Sequence, residues 1–353
     1  MRRFRDWRVW LGLAITAVAL WLALRGVSFE EVARDVRRAD LGLLFAVAVP
    51  SQILALWVRA IRWRHLTDPV QHIGSGPLFR AVAVGFMANN LFPLRIGEVV
   101  RAWYLSRETG ASGSALLGTV VLERVIDSMF FVGMATALIG IYGARLPGGL
   151  AVALLIPVMS VSVAPLLGIL WLRLAPDSLV RVIDLLGRPL LRDRVTDWVL
   201  RLLRSFAEGL GSLRGGMHLF WIAWHSILIW MVFATLPFYV GFVALDMDFG
   251  SPARGIAAAY ATLVAVGLAI AVPSAPGFFG TYHWACREVL TAGFGVPESQ
   301  AVALGTLVHA SFWVSVTALG LGILWLRHTS LEEIGEAAAG GVEPGKAPLS
   351  ERR

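Results

Sequence analysis

Charge is what this chain has least of: Asp, Glu, Lys and Arg make up 16% of its 353 residues, against 57% that are hydrophobic. A soluble globular domain carries about 25% charged residues. The shortage excludes an ordinary soluble enzyme and predicts an integral membrane protein. Lysine is nearly absent. Lys346 is the single one, so the net charge of +7 rests on arginine. The arginines lie between apolar runs, where the positive-inside rule accounts for them. No RNA- or DNA-binding pattern accompanies them, and nucleic acid is not an expected partner. Cysteine is limited to Cys286, which excludes an internal disulfide and a cysteine-based metal cluster. A Walker-type phosphate loop, a dinucleotide fingerprint and metal-ligand spacing are also missing. No cofactor, no metal and no ATP-driven step within this chain is therefore expected.

Apolar segments of roughly 17 to 25 residues can cross a bilayer. They fall near Val9–Leu24, Leu41–Val58, Leu116–Tyr142, Gly149–Leu172, Leu219–Leu245 and Gln300–Leu326. The start, Met1-Arg2-Arg3-Phe4-Arg5 before an apolar run, has the outline of a signal peptide, but Leu24-Arg25-Gly26-Val27 is a poor cleavage site. It reads as an uncleaved first span. Arg59, Arg62 and Arg64 follow the second span, and eight arginines occur between Arg173 and Arg214; both groups belong on the cytoplasmic side, whereas Asp246 and Asp248 suit the outer side.

Two further apolar stretches, about Leu78–Trp103 and about Gly255–Leu290, are interrupted by Pro, Gly and polar residues. The charge bookkeeping makes the first start and finish inside and the second start and finish outside. Each is then a re-entrant hairpin or a pair of short crossings, and the two face each other from opposite sides. That arrangement belongs to inverted repeats meeting near the midplane, although no residue-level repeat is visible. The expected fold is an all-α polytopic helical bundle. Residues 1–328 form its membrane domain, with an amphipathic segment over about 177–213 carrying Leu191, Trp198, Leu202 and Phe206 between arginines. The Ala-, Gly-, Pro- and Glu-rich residues 329–353 read as a disordered tail.

Three constellations carry polar chemistry. The first is Asn89, Asn90, Arg95, Glu98 and Arg101 around Pro93 and Gly97. Arg95, Glu98 and Arg101 are spaced three apart and share a helix face, and guanidinium groups bind phosphate in a bidentate fork. An ordinary cytoplasmic loop is the alternative. The second is Glu123, Arg124 and Asp127 inside an otherwise apolar span. Intramembrane ionisable residues are costly, so these predict either an ion-pair network or structural glue. The third is the tip Pro273-Ser274-Ala275-Pro276-Gly277-Phe278-Phe279-Gly280, followed by His283 and Arg287. Its prolines and glycines end a helix, and His283 and Arg287 lie one turn apart. His309, in the last span, is a further candidate beside His283.

These motifs, Asn90…Pro93-x-Arg95-x-Gly97-Glu98-x-x-Arg101, Glu123-Arg124-x-x-Asp127 and Pro273-x-x-Pro276-Gly277-x-x-Gly280, resemble the lysylphosphatidylglycerol synthase transmembrane-region family of flippase-like membrane proteins. The resemblance runs from about Arg5 to Arg327. It implies traffic of an anionic phospholipid or polyprenyl-linked lipid between leaflets. The family's second tip often reads Pro-Gly-Gly-x-Gly-x-x-Glu; here Phe278 replaces the middle Gly, His283 stands where Glu is usual, and His309 stands where a later Arg is usual. The soluble aminoacyl-transfer domain of the fused family members is not part of this sequence, and no catalytic motif is present, so enzymatic activity is not expected. The expectation is a lipid translocase of the bacterial inner membrane with cytoplasmic termini and membrane lipids as its partners. Arg95, Arg101, Arg124, Asn89 and Asn90 would receive the headgroup. Glu98, Glu123, Asp127, His283 and Arg287 would form the coupling or ion-pair network. The alternative is a non-transporting scaffold for an envelope-lipid synthase or glycosyltransferase.

Overall fold

The computed structural model describes residues 7–142, 171, 175–190, 193, 196, 197, 200, 216–271 and 276–340. These are helical with no strand among them. In chain order the helices are α1 (Trp7–Leu24), α2 (Phe29–Arg38), α3 (Leu41–Thr67), α4 (Ser75–Leu91), α5 (Gly97–Thr109), α6 (Gly113–Tyr142), α7 (Pro176–Leu190), α8 (Gly216–Ile227), α9 (Leu236–Ala244), α10 (Pro252–Ala271), α11 (Thr281–Glu288), α12 (Glu298–Leu326) and α13 (Leu331–Gly340). Segments Leu41–Thr67, Met217–Ala244, Pro252–Ile270 and Glu298–Leu326 are long and apolar enough to cross a bilayer. The pair Gly12–Leu24 and Phe29–Arg38, bent by 79°, makes a fifth if it counts as one span. The chain is thus an all-α, multi-pass membrane bundle. The expected span Gly149–Leu172 lies almost wholly outside the described residues.

Local chemistry sets the helix ends. Ser28 accepts from the Glu31 N–H to start α2, whose first turn is acidic and last turn basic, matching the helix dipole. Asp40 accepts from the Leu43 N–H at 2.8 Å to start α3. α4 must stop before Pro93, which cannot continue it, and α5 ends at Gly110 with φ 73°, a left-handed cap that glycine adopts freely.

The two interrupted stretches fold as opposed hairpins. Arg80 near the start of α4 pairs with Glu108 near the end of α5, and Arg327 beyond α12 reaches the same carboxylate at 3.6 Å. Both ends of the first hairpin therefore lie with the C-terminal end of α12. Phe249 before α10 and Phe294 after α11 have ring centroids 6.1 Å apart, and Arg287 of α11 pairs with Glu298 at the start of α12 at 2.7 Å. The second hairpin therefore opens at the other end. α10 is itself long enough to cross a bilayer, which the sequence pattern does not separate from the shorter arms.

The tips share a backbone pattern. Each is a single 3-10 turn opened by proline, Pro93–Arg95 and Pro276–Phe278. Each turn closes on a residue with positive φ, Arg95 at 52° and Phe278 at 59°. A glycine follows two residues later, Gly97 in one and Gly280 in the other. The Arg95 guanidinium sits 5.8 Å from the Phe278 ring centre, and its Nη1 donates to the carbonyl of Ile270 near the end of α10. The tips meet inside the bundle.

Two apolar cores flank this meeting point. One gathers Leu78, Val82, Tyr104, Leu116 and Leu122 around the first hairpin; the other gathers Met134, Val264, Cys286, Leu304 and Val308 around the second. Along α6 the charged residues Glu123 and Asp127 fall between Leu122 of one core and Met134 of the other. The region expected as a tail opens instead with α13, held by an ion pair of Arg107 with Glu333 at 2.7 Å. Of the expected amphipathic segment, α7 is described and has an exposed Leu185 and Arg188; its continuation through Leu191, Trp198, Leu202 and Phe206 lies outside the described residues.

Candidate functional site

The site is built on α6, where Glu123 and Asp127 stand one turn apart and buried. Four arginines converge on them. Arg62 of α3 reaches Asp127 at 2.7 Å and Glu123 at 3.1 Å. Arg101 of α5 meets Glu123 at 2.5 Å. Arg124 of α6 bridges both carboxylates, at 2.6 and 3.1 Å. Arg59 of α3 lies 3.7 Å from Asp127. Trp230 donates its indole N–H to Asp127 at 2.8 Å from the π-helical turn Leu228–Phe233 between α8 and α9. Such turns are rare and recur at functional sites. Ser226 accepts from Arg62 at 2.9 Å.

The balance of charge is uneven. Four guanidinium groups face two carboxylates, leaving two positive charges in excess among the described residues. Arg59 Nη1, Arg101 Nε and Arg124 Nε are buried and make no hydrogen bond there. Aromatic faces supply part of the compensation. The guanidinium of Arg101 lies 4.4 Å from the Trp63 ring centre and that of Arg59 4.5 Å from Trp230. A buried cation without a full set of partners is costly, so this arrangement favours an anion.

A cavity of about 90 Å³ opens against the network where the tips meet. Arg95, Glu98, Arg101 and Arg124 line it, as do Asn89 and Asn90 from the first hairpin, Phe278 and Tyr282 from the second, and His309 of α12. Its volume holds several water molecules. Arg124, with a third of its side chain exposed, is the network member most open to it. Arg95 lies 3.8 Å from Glu98, and Glu98 Oε2 makes no hydrogen bond among the described residues.

Asn89 and Asn90 also build the hairpin. Asn89 Oδ1 accepts from the Gly97 N–H at 2.8 Å and so caps α5, while Asn90 Nδ2 donates to Thr317 of α12 at 3.0 Å. Gly97 is required by crowding: a Cβ there would lie 2.0 Å from the Gly85 carbonyl oxygen. The positive φ of Gly277 (73°) and of Gly280 (88°) suits glycine at the second tip. Pro276 opens that turn, and Pro273 lies outside the described residues.

Several expectations change. Arg59 and Arg62 do not lie beyond the second span: α3 runs on to Thr67 and buries both against Glu123 and Asp127. Helix length hid them, because a span that outlasts its apolar run looks finished at its first arginine. Arg287 does not join the network. Itself buried, it pairs with Glu298 and donates to the Leu22 carbonyl. His283 faces His309 with ring centroids 5.2 Å apart, within an aromatic group that stacks Tyr282 on His309 at 4.4 Å. The two positions that differ from the usual Glu and Arg therefore do meet.

Comparison with known proteins matches residues 9–320 to the family described as the Lysylphosphatidylglycerol synthase TM region, and the chain belongs to that family. A relative from Methanothermobacter thermautotrophicus, named UPF0104 membrane protein, is 27% identical over 91% of this chain and 96% of its own length. A second, named Glycosyltransferase AglD, from Haloferax volcanii, is 24% identical over 93% of this chain. The chain spans 56% of that protein's length. Its name overturns the expectation that enzymatic activity is foreign to this chain: a relative aligned along nearly all of it is named as an enzyme. No solved structure matches.

Proposed function

We propose that this chain receives the anionic headgroup of a membrane lipid in the cavity between the hairpin tips and moves that lipid between leaflets. The observation that carries the proposal is the excess of buried guanidinium groups at the wall of a cavity inside a membrane bundle. A phosphate or phosphodiester supplies the missing negative charge and accepts in the bidentate geometry that arginine offers. Arg124, Arg101 and Arg95 are the residues proposed to contact it. Glu123 and Asp127 hold the arginines in place. Glu98, with an oxygen left unpartnered, is the carboxylate proposed to exchange a proton or yield Arg95 to the headgroup. The acyl or prenyl chains stay in lipid while the charged part avoids the desolvation barrier of hydrocarbon. Opposed hairpins meeting at mid-depth fit alternating access by rocking of two halves. The proposed setting is the bacterial inner membrane with cytoplasmic termini, because Arg80, Arg107 and Arg327 gather at the C-terminal end of α12.

The name glycosyltransferase on one relative favours a second reading of the same cavity, in which the bound lipid is a polyprenyl-linked sugar carrier presented to a sugar-transfer reaction. Lipid retention tests what both readings share. Native mass spectrometry of the detergent-purified chain is expected to show anionic phospholipid or polyprenyl phosphate bound in preference to phosphatidylcholine, with at least roughly tenfold weaker retention in Arg124→Gln, the loss of one charge-assisted contact. Equal retention of zwitterionic and anionic lipids by both proteins would defeat the proposal.

A further inference from the structure

Four of the chain's seven histidines gather at one place outside the cavity, where α3 ends and α8 begins. The His65 ring lies 5.5 Å from those of both His218 and His225, and His218 Nε2 stands 3.9 Å from Asp68 Oδ2. One ligand atom each from His65, Asp68 and His218 fall within 4.8 Å of one another. His218 and His225 lie two turns apart on α8, whereas His65 sits in the last turn of α3, Asp68 caps that helix and His72 follows in the non-helical segment beyond it.

We infer that His65, Asp68 and His218 form a site for a divalent transition-metal ion, with Zn²⁺ the best-suited occupant and water in the fourth position. Two imidazoles and a carboxylate are a donor set for Zn²⁺, and three protein ligands with an open position are a recurrent Zn²⁺ arrangement. Donor separations in a tetrahedral site follow from metal–ligand distances of about 2.0–2.2 Å, so small side-chain rotations close the observed spacing. The surroundings orient the donors. His72 Nδ1 lies 3.0 Å from Asp68 Oδ1; a carboxylate oxygen accepts, so His72 donates and leaves Oδ2 turned to His218. His225 Nδ1 donates to the Trp221 carbonyl at 2.6 Å, which fixes the ring packed against His65. Partners of this kind set the direction and basicity of ligands. Two imidazole nitrogens against a single carboxylate disfavour hard ions such as Mg²⁺ or Ca²⁺, which take oxygen donors.

The ion would fasten α8 to α3 beside the polar network. His65 lies one turn beyond Arg62, and His225 precedes Ser226, the hydroxyl that accepts from Arg62. This inference does not depend on lipid handling.

The test uses the full chain purified without a polyhistidine tag and stripped with EDTA. It is then titrated with Co²⁺ as a spectroscopic stand-in, followed by Zn²⁺. A single equivalent is expected, with visible bands of a tetrahedral nitrogen–oxygen Co²⁺ site that Zn²⁺ displaces, and a Zn²⁺-dependent rise in Tm. His65→Gln and His218→Gln should each weaken binding by more than the roughly 10–100-fold expected for His72→Ala, which removes only an orienting partner. His328→Ala, away from the cluster, should leave it unchanged. Absence of Co²⁺ binding overturns the inference, as does equal affinity in a folded His65→Gln/His218→Gln double variant.

Discussion

Glu123 shows how much depends on a single side chain. Its two oxygens engage Arg62, Arg101 and Arg124, and the residue is fully buried. Glu123→Gln removes the charge and leaves three guanidinium groups short of an acceptor. Breaking a buried pair from one side costs about 3–5 kcal/mol, so thermal unfolding in nanodiscs should show a large loss of stability. Arg124→Gln should behave differently. Arg124 is partly exposed to the cavity, and its removal brings the network nearer neutrality. The variant is expected to remain folded while losing lipid retention. Arg287→Gln should cost stability, because Arg287 is buried and pairs with Glu298, but should leave lipid retention by the folded protein unchanged; a loss of lipid retention in that folded variant would place the site elsewhere. Part of this was legible beforehand. Glu123, Arg124 and Asp127 stand out because charge interrupts an apolar run. Arg59 and Arg62 do not, since their partners lie on another helix and nothing local distinguishes a buried arginine from one at a span's end.

At the scale of elements, the hairpins rest on close backbone approach and on contact between tips. Gly97→Ala drives a methyl group into the Gly85 carbonyl and the Asn89 side chain. Overpacking of this kind costs about 1–3 kcal/mol, sometimes more, and here both neighbours are held, one as backbone and the other as the cap of α5. A fall in Tm and in folded yield is the expected outcome. Contact between tips is tested by Arg95→Cys/Phe278→Cys in a Cys286→Ala background. A short bifunctional thiol reagent in native membranes should cross-link the pair, and failure to cross-link a folded protein whose two thiols are both reactive would separate the tips. Both hairpins were legible because Pro and Gly end helices wherever they fall. The likeness of the two tips was not. It lies in backbone angles at Arg95 and Phe278, which unrelated side chains conceal. The helix α13 was missed for a related reason: its alanine-rich sequence resembles a tail until Arg107 supplies a partner for Glu333.

On the scale of the whole molecule, two apolar cores close around two hairpins, and the layer between them holds an excess of positive charge beside a cavity. Bundle and opposed hairpins could be read from hydropathy and charge order, both of which are local sums along the chain. The gathering of arginines from α3, α5 and α6 could not, because it depends on which helices become neighbours. The histidine cluster was hidden in the same way, with its ligands split between α3 and α8.

The most direct test is leaflet exchange in liposomes reconstituted with the purified chain. Fluorescent anionic phospholipid or polyprenyl phosphate in the inner leaflet is followed by quenching from outside, with Arg124→Gln as the folded comparison. The account predicts that the chain speeds loss of protection for anionic lipids, and that Arg124→Gln returns the rate to that of protein-free vesicles. Folded chain that leaves the rate unchanged for each anionic lipid, with and without a proton gradient, or that accelerates zwitterionic lipid equally in both proteins, would contradict it.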